Sequence, residues 1–339
     1  MAALDGVTKA ANPEPSQYLP SPVIIWDLDE TLIIFDSLRD GKFAAVHDKD
    51  DEIGRNIGSW LSRLLMALLD GIFSFRELEN VDVGSLAEPF SMFQDASVEK
   101  TGQSFLGSSA AGSEQSSVDL EKAAALITRI AEIYDGGEAR LATLVPEGWL
   151  AERKRLLAEV EAYTDGWIAA ASEGLSVFST DGSAIKTASA STVVDEAPLN
   201  AVPTPKSVNM VVTASHWVAA LGKLLLFGLS EHVRACDVFS AAHRTKTAAF
   251  EAALGKHATE LAAKQLPGEA SEDLPTAFAV GDGDEEATAA ANLTIPFVRV
   301  RTASDLSLTL SNLSAPITRP NKDTPAEPQP KRFKASLEN

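Results

Sequence analysis

Between residues 208 and 300 the chain repeats one pattern, and that pattern restricts its fold more than any other feature. Short apolar runs, "VNMVV" (208–212), "ACDVF" (235–239), "AFAVG" (277–281) and "PFVRV" (296–300), alternate with helical segments at 215–229, 243–264 and 284–292. Strand, helix, strand in regular succession implies parallel strands joined by right-handed crossovers. A fifth run of the same kind, "VIIW" (23–26), is introduced by Pro22 and lies far upstream. The expected architecture is therefore α/β: a parallel sheet whose first strand is separated from the others by a long segment of different texture.

That segment reads as helix and loop. Ile53, Ile57, Leu61, Leu64, Leu65, Leu68 and Ile72 form a helical stripe within 51–79. Helical patterns return at 118–134 and 147–173, the latter with Leu156, Val160, Tyr163 and Trp167 on one face. The expected organisation has a flexible arm at 1–21 and a sheet domain from 22–50 plus 205–313. A helical insert at 51–180 carries a flexible loop at 93–117, a linker follows at 181–204, and the tail at 314–339 is disordered.

The formal charge of −19 argues against direct binding of nucleic acid or an anionic membrane, which need a basic face. The longest apolar stretch, "VAALGKLLLFGL" (218–229), holds Lys223 and is too short to span a bilayer. The N-terminal residues show neither a basic nor an apolar region of the secretory kind. Cys236, the single cysteine, permits no intramolecular disulfide and suits a reduced compartment, cytoplasmic or nuclear. It also cannot serve a cysteine-dependent phosphatase, because Ala242 stands where that chemistry needs arginine. There is no G-x-x-x-x-G-K-[ST] sequence for a nucleotide loop.

In an open parallel sheet, ligands bind beyond the carboxyl ends of the strands. Asp27 and Asp29 follow "VIIW", Thr213 follows "NMVV", Lys246 lies near the start of the helix after "ACDVFS", and Asp282, Asp284, Glu285 and Glu286 follow "AFAVG". Singly, each has a plain reading: a helix cap, a solvated lysine, acids favoured by a helix dipole. Together they fit phosphoryl transfer. A hard cation such as Mg²⁺ takes oxygen ligands, which Asp27 and Asp282 can supply, with Glu286 as a third ligand or a contact to water. Asp27 can attack phosphorus and become an aspartyl-phosphate. Asp29 can protonate the leaving oxygen and later deprotonate water. Thr213 can hold a phosphate oxygen, and Lys246 can balance charge.

These motifs, "DLDET", "VVT", "RTK" and "GDGDEE", resemble those of the haloacid dehalogenase superfamily. Longer stretches resemble one branch of it, the Eyes Absent family: "WDLDETLIIFDSL", "FSFRELENVDV", "RIAEIYDGG", "RKRLLAEVEAYTDGW", "VVTASHWVAALGKLLLFGL" and "GDGDEEATAAANLTIPFVRV". The resemblance implies a Rossmann-like sheet domain with a helical-bundle cap inserted after the first strand. It implies a Mg²⁺-dependent protein tyrosine phosphatase acting on phosphotyrosine proteins. Asp27 would be the nucleophile and Asp29 the acid/base. The Asp29 carbonyl with the Asp27 and Asp282 side chains would hold Mg²⁺, Glu286 would support it, Thr213 would bind phosphate and Lys246 would balance charge. The short form is similar to plant or algal members. Two other readings stand beside this one: a phosphatase for phosphoserine or a small metabolite, and a scaffold or transcriptional cofactor with incidental catalysis.

Overall fold

A computed structural model describes residues 22–88, 91–92, 111–177, 207–264 and 277–307. In chain order it contains β1 (Val23–Asp27), α1 (Asp36–Asp40), α2 (Lys42–His47), α3 (Asp51–Gly71), β2 (Val81–Asp82), β3 (Ser91–Met92), α4 (Ala111–Asp135), α5 (Gly137–Ala142), α6 (Trp149–Tyr163) and α7 (Trp167–Val177). There follow β4 (Val208–Thr213), α8 (Trp217–Phe227), β5 (Val238–Ser240), α9 (Lys246–Lys264), β6 (Ala277–Gly281), α10 (Asp284–Asn292) and β7 (Phe297–Arg299).

Five strands form one parallel sheet in the order β5-β4-β1-β6-β7. The chain moves outward from β4 to β5, then crosses to the other side of β1 to form β6. β1 is thus the central strand at the point where the order reverses, the place where such sheets bind ligands. In register, Asp27 lies beside Val212 and Trp26 beside Val280.

The strands read as continuous apolar runs because both sheet faces are covered. Val23 and Ile25 face one layer with Met210, Val212 and Phe239, closed by Ala249, Phe250 and Ala253 of α9 and Ala289 and Ala290 of α10. Ile24 and Trp26 face the opposite layer, against α8 and the helices of the insert. Apart from Lys223, α8 is apolar around its circumference and buried almost throughout, as a helix between two layers must be. α3 crosses it closely at Gly222: a Cβ there would lie 2.9 Å from Leu69 Cδ2 and 3.1 Å from Leu65 Cδ1. The segment between β1 and β4 therefore shares a hydrophobic core with the sheet. Among the described residues no helix is long and apolar enough to cross a membrane.

Several expected boundaries move. The helix expected over 147–173 is two helices, because Thr164-Asp165-Gly166 turns the chain with φ of 56° at Asp165 and 89° at Gly166. The Glu161 carboxylate then accepts the amides of Ile168 and Ala169, capping α7. α4 starts at Ala111, inside the segment expected to be loop. Cys236 sits half-buried in a 3-10 turn, and β5 starts only at Val238. On α3, Ile53 and Trp60 are exposed at 52% and 44%. The arm 1–21, the linker 181–204 and the tail 314–339 lie outside the described residues.

Candidate active site

After Asp27, residues 28–33 fold into a tight knuckle. Leu32 and Ile33 amides donate to the Leu28 carbonyl, the Glu30 amide donates to Ile33 O, and Glu30 takes φ of 60°. Leu28, Leu32 and Ile33 are buried and anchor the turn, while Trp167 Nε1 donates to the Thr31 carbonyl at 2.9 Å. The knuckle holds Asp27, Asp29 and Thr31 over the end of the sheet.

Asp27 is almost fully buried and in salt-bridge contact with Lys246 Nζ. The same ammonium lies 2.6 Å from Glu286 Oε1. On the other side, the Thr31 hydroxyl is 3.2 Å from Asp27 Oδ2 and 3.3 Å from Asp282 Oδ1. A hydroxyl has one proton, so it cannot donate fully to both carboxylates. Asp27 and Glu286 thus share one lysine, and Asp282 is joined to Asp27 through the Thr31 hydroxyl. Burial, with the charges of Glu286 and Asp29, pushes Asp27 up to about 7 against the pull of Lys246. Burial and Glu286 likewise raise Asp282. Burial works to lower Lys246, but Asp27 and Glu286 outweigh it and hold the ammonium above the usual lysine range.

Glu286 reaches the site because glycine surrounds it. A Cβ on Gly283 would meet Glu286 Oε2 at 2.4 Å, and one on Gly281 would meet Glu286 Cγ at 2.9 Å. Arg299 fixes the preceding turn by donating to the Asp282 carbonyl at 2.8 Å.

Asp29 has a separate cation. Its Oδ1 accepts from Lys223 Nζ at 2.6 Å; its Oδ2 accepts from Ser215 Oγ at 2.9 Å and Thr213 Oγ1 at 3.2 Å. The Thr213 hydroxyl also accepts the Ser215 amide at 3.0 Å, so it is turned toward Asp29 and the start of α8. Asp27, Asp29, Lys246, Asp282 and Glu286 line one cavity of about 250 Å³, whereas Thr213 is fully buried and does not line it. A groove of about 630 Å³ adjoins, sharing Lys246, Asp284 and Glu285 and extended by Thr245, Thr247, Thr288 and Asn292.

Lys223, Ser215 and Thr31 were not legible as site residues. Lys223 weighed only against a membrane span, although a lysine inside an apolar helix signals a buried acid partner. His216, which lies near a strand end, caps α8 by accepting the Val218 amide, and its Nε2 lies 3.1 Å from the Val81 carbonyl.

The donor set suits a hard divalent cation. Carboxylate oxygens of Asp27 and Asp282 flank the same hydroxyl in a patch with more acids than bases. Among the described residues no three acidic, imidazole or thiol groups stand clustered as a ready-made cage. Mg²⁺ commonly uses one or two carboxylates and keeps its waters, so the pair is enough.

No family model matches the chain. It is 27% identical over 298 residues to protein phosphatase EYA2 of Homo sapiens, covering 84% of this chain and 48% of the relative. It is 26% identical over 310 residues to protein phosphatase eya of Drosophila melanogaster, covering 85% and 34%. Against protein phosphatase EYA of Arabidopsis thaliana it is 25% identical over 292 residues, covering 85% of both chains. The chain thus spans about half the length, or less, of these animal relatives and most of the plant one. With a parallel sheet and acids at the reversal point, the chain is similar over most of its length to the Eyes Absent protein phosphatases.

Proposed function

We propose that the chain is a Mg²⁺-dependent protein tyrosine phosphatase with Asp27 as its nucleophile. One observation carries the chemistry: Asp27 closes the central strand at the reversal point, against Lys246, among carboxylates that outnumber the local cations. The Asp27 and Asp282 carboxylates and the Asp29 carbonyl would hold the metal, with Glu286 supporting it. Bound there, Mg²⁺ supplies the positive charge that offsets these acids and draws in a phosphate.

An Asp27 carboxylate oxygen attacks phosphorus as the bond to the ester oxygen breaks. Lys246 stabilises charge on the transferring group. Asp29 gives a proton to the departing oxygen, leaving an aspartyl-phosphate on residue 27. Asp29 then takes a proton from water, whose oxygen attacks phosphorus and restores Asp27 with release of inorganic phosphate. The phosphatase names of the relatives support this reaction class. Phosphotyrosine proteins are the proposed substrates, and cytoplasm or nucleus the proposed location.

The helical insert serves as a cap. Its 81–88 segment reaches the strand ends: the Ser240 amide donates to Gly84 O at 2.7 Å, and Arg244 pairs with Glu88 at 2.7 Å. One observation favours a competing substrate. Among the described residues, neither the cavity nor the adjoining groove has an aromatic lining residue to stack on a phenol ring. Phosphoserine peptides and small phosphate esters are therefore the alternative. Turnover of phosphotyrosine peptides, phosphoserine peptides and sugar phosphates, with Mg²⁺ and with EDTA, separates the readings. Metal-dependent preference for phosphotyrosine peptide supports the proposal. Preference for either other class replaces it, and no turnover at all leaves the scaffold reading.

A further inference from the structure

We infer that Lys223 is a positioning residue: with Ser215, it fixes the Asp29 carboxylate for proton transfer at the leaving oxygen. The inference rests on the reading of Asp29 as acid/base. Lys223 stands in the middle of α8, a helix whose other residues pack between sheet and insert, and is only 6% exposed. A buried ammonium is costly where a leucine would pack well, so its retention calls for a specific partner set. That set is complete. Nζ donates to Asp29 Oδ1 at 2.6 Å and to Ser215 Oγ at 3.0 Å, and stands 5.2 Å from the centroid of the Phe35 ring.

Ser215 joins the two ends of the arrangement. Its hydroxyl accepts from Lys223 and donates to Asp29 Oδ2 at 2.9 Å. Both carboxylate oxygens are thus held from β4 and α8, on the side of β1 away from α9. Lys246, which opens α9, serves Asp27 and Glu286 instead. Each acid of "DLD" has its own lysine, and the second lysine governs where the Asp29 carboxylate points. Orientation at this level is worth orders of magnitude in rate, because a proton donor must sit within hydrogen-bond reach of the departing atom.

The test compares wild type, K223M, S215A, D29N and D29N/K223M as full chains with Mg²⁺. The substrates are phenyl phosphate, a poor leaving group, and p-nitrophenyl phosphate, a good one. For K223M, kcat on phenyl phosphate should fall by about 10- to 100-fold, with a much smaller fall on p-nitrophenyl phosphate and little change in KM. In the D29N background, K223M should cost nothing further, since no acid remains to be positioned. Equal losses on both esters, or full additivity with D29N, overturn the inference and leave Lys223 as a structural counter-ion. If circular dichroism shows K223M unfolded, S215A and D29N/S215A make the same comparison with the same criteria. Absence of turnover by wild type on both esters overturns the phosphatase reading and this inference together, whereas additive losses overturn this inference alone.

Discussion

Without metal, the acids at the end of β1 should make the protein less stable as pH rises, and a single substitution should remove most of that dependence. Asp27 is buried, and its carboxyl is pushed from 3.8 up to about 7 in the folded chain, by burial first and then by Glu286 and Asp29. The folded carboxyl therefore holds its proton where the unfolded one has lost it. Below about pH 4 both states are protonated and nothing is lost; as pH rises toward 7 and above, the folded state must ionise a buried acid. Three pKa units at about 1.4 kcal/mol each set an upper limit of about 4 kcal/mol for this group. Asp282, raised by burial and by Glu286, adds in the same direction. Urea unfolding in EDTA from pH 4.5 to 8 measures the slope directly. Asp27→Asn keeps the shape and removes the charge, so at pH 8 without metal it should be more stable than wild type. Mg²⁺ should stabilise wild type much more than the variant. A wild-type profile that is flat over this range, or an Asp27→Asn variant less stable than wild type at pH 8, would refute the reasoning.

Two further outcomes follow from the same geometry. Lys246→Met removes the ammonium shared by Asp27 and Glu286 and should lower kcat by about 100-fold or more, read in steady-state assays with saturating Mg²⁺. Gly283→Ala places a Cβ 2.4 Å from Glu286 Oε2, at the free end of a side chain that can swing away. It should weaken activation by Mg²⁺, read as a higher half-saturating concentration, while shifting the thermal midpoint little.

The sheet was legible because its strands are buried on both faces. "AFAVG" coincides with β6, and "VNMVV" gives β4 except for Thr213 at its end. The start of β5 was misplaced because Ala235, Cys236 and Asp237 look strand-like in composition. In fact Arg234 pairs with Asp237 at 2.6 Å across a 3-10 turn. The break between α6 and α7 was hidden by a periodic apolar stripe that continues through it. Val160, Tyr163 and Trp167 are all buried, although Asp165 and Gly166 reverse the backbone between them. The acids of the site could be picked out because they follow strand ends. Their partners could not. Thr31 shares itself between Asp27 and Asp282, which are 255 residues apart in number, and Lys223 lies 194 residues from Asp29, the acid it serves. Local patterns carry the positions of charges, whereas the pairing of charges depends on the fold.

The claim that Asp27 forms a covalent phosphoryl intermediate is tested most directly by trapping it. Wild-type protein is mixed with an aryl phosphate and Mg²⁺, quenched in acid, reduced with borohydride and digested for peptide mass spectrometry. An aspartyl-phosphate on Asp27 is reduced to homoserine, so the peptide spanning "VIIWDLDETLII" should carry that modification at position 27, only with substrate and metal present. Turnover without modification at Asp27, or with the label on Cys236 or another acid, would contradict the account.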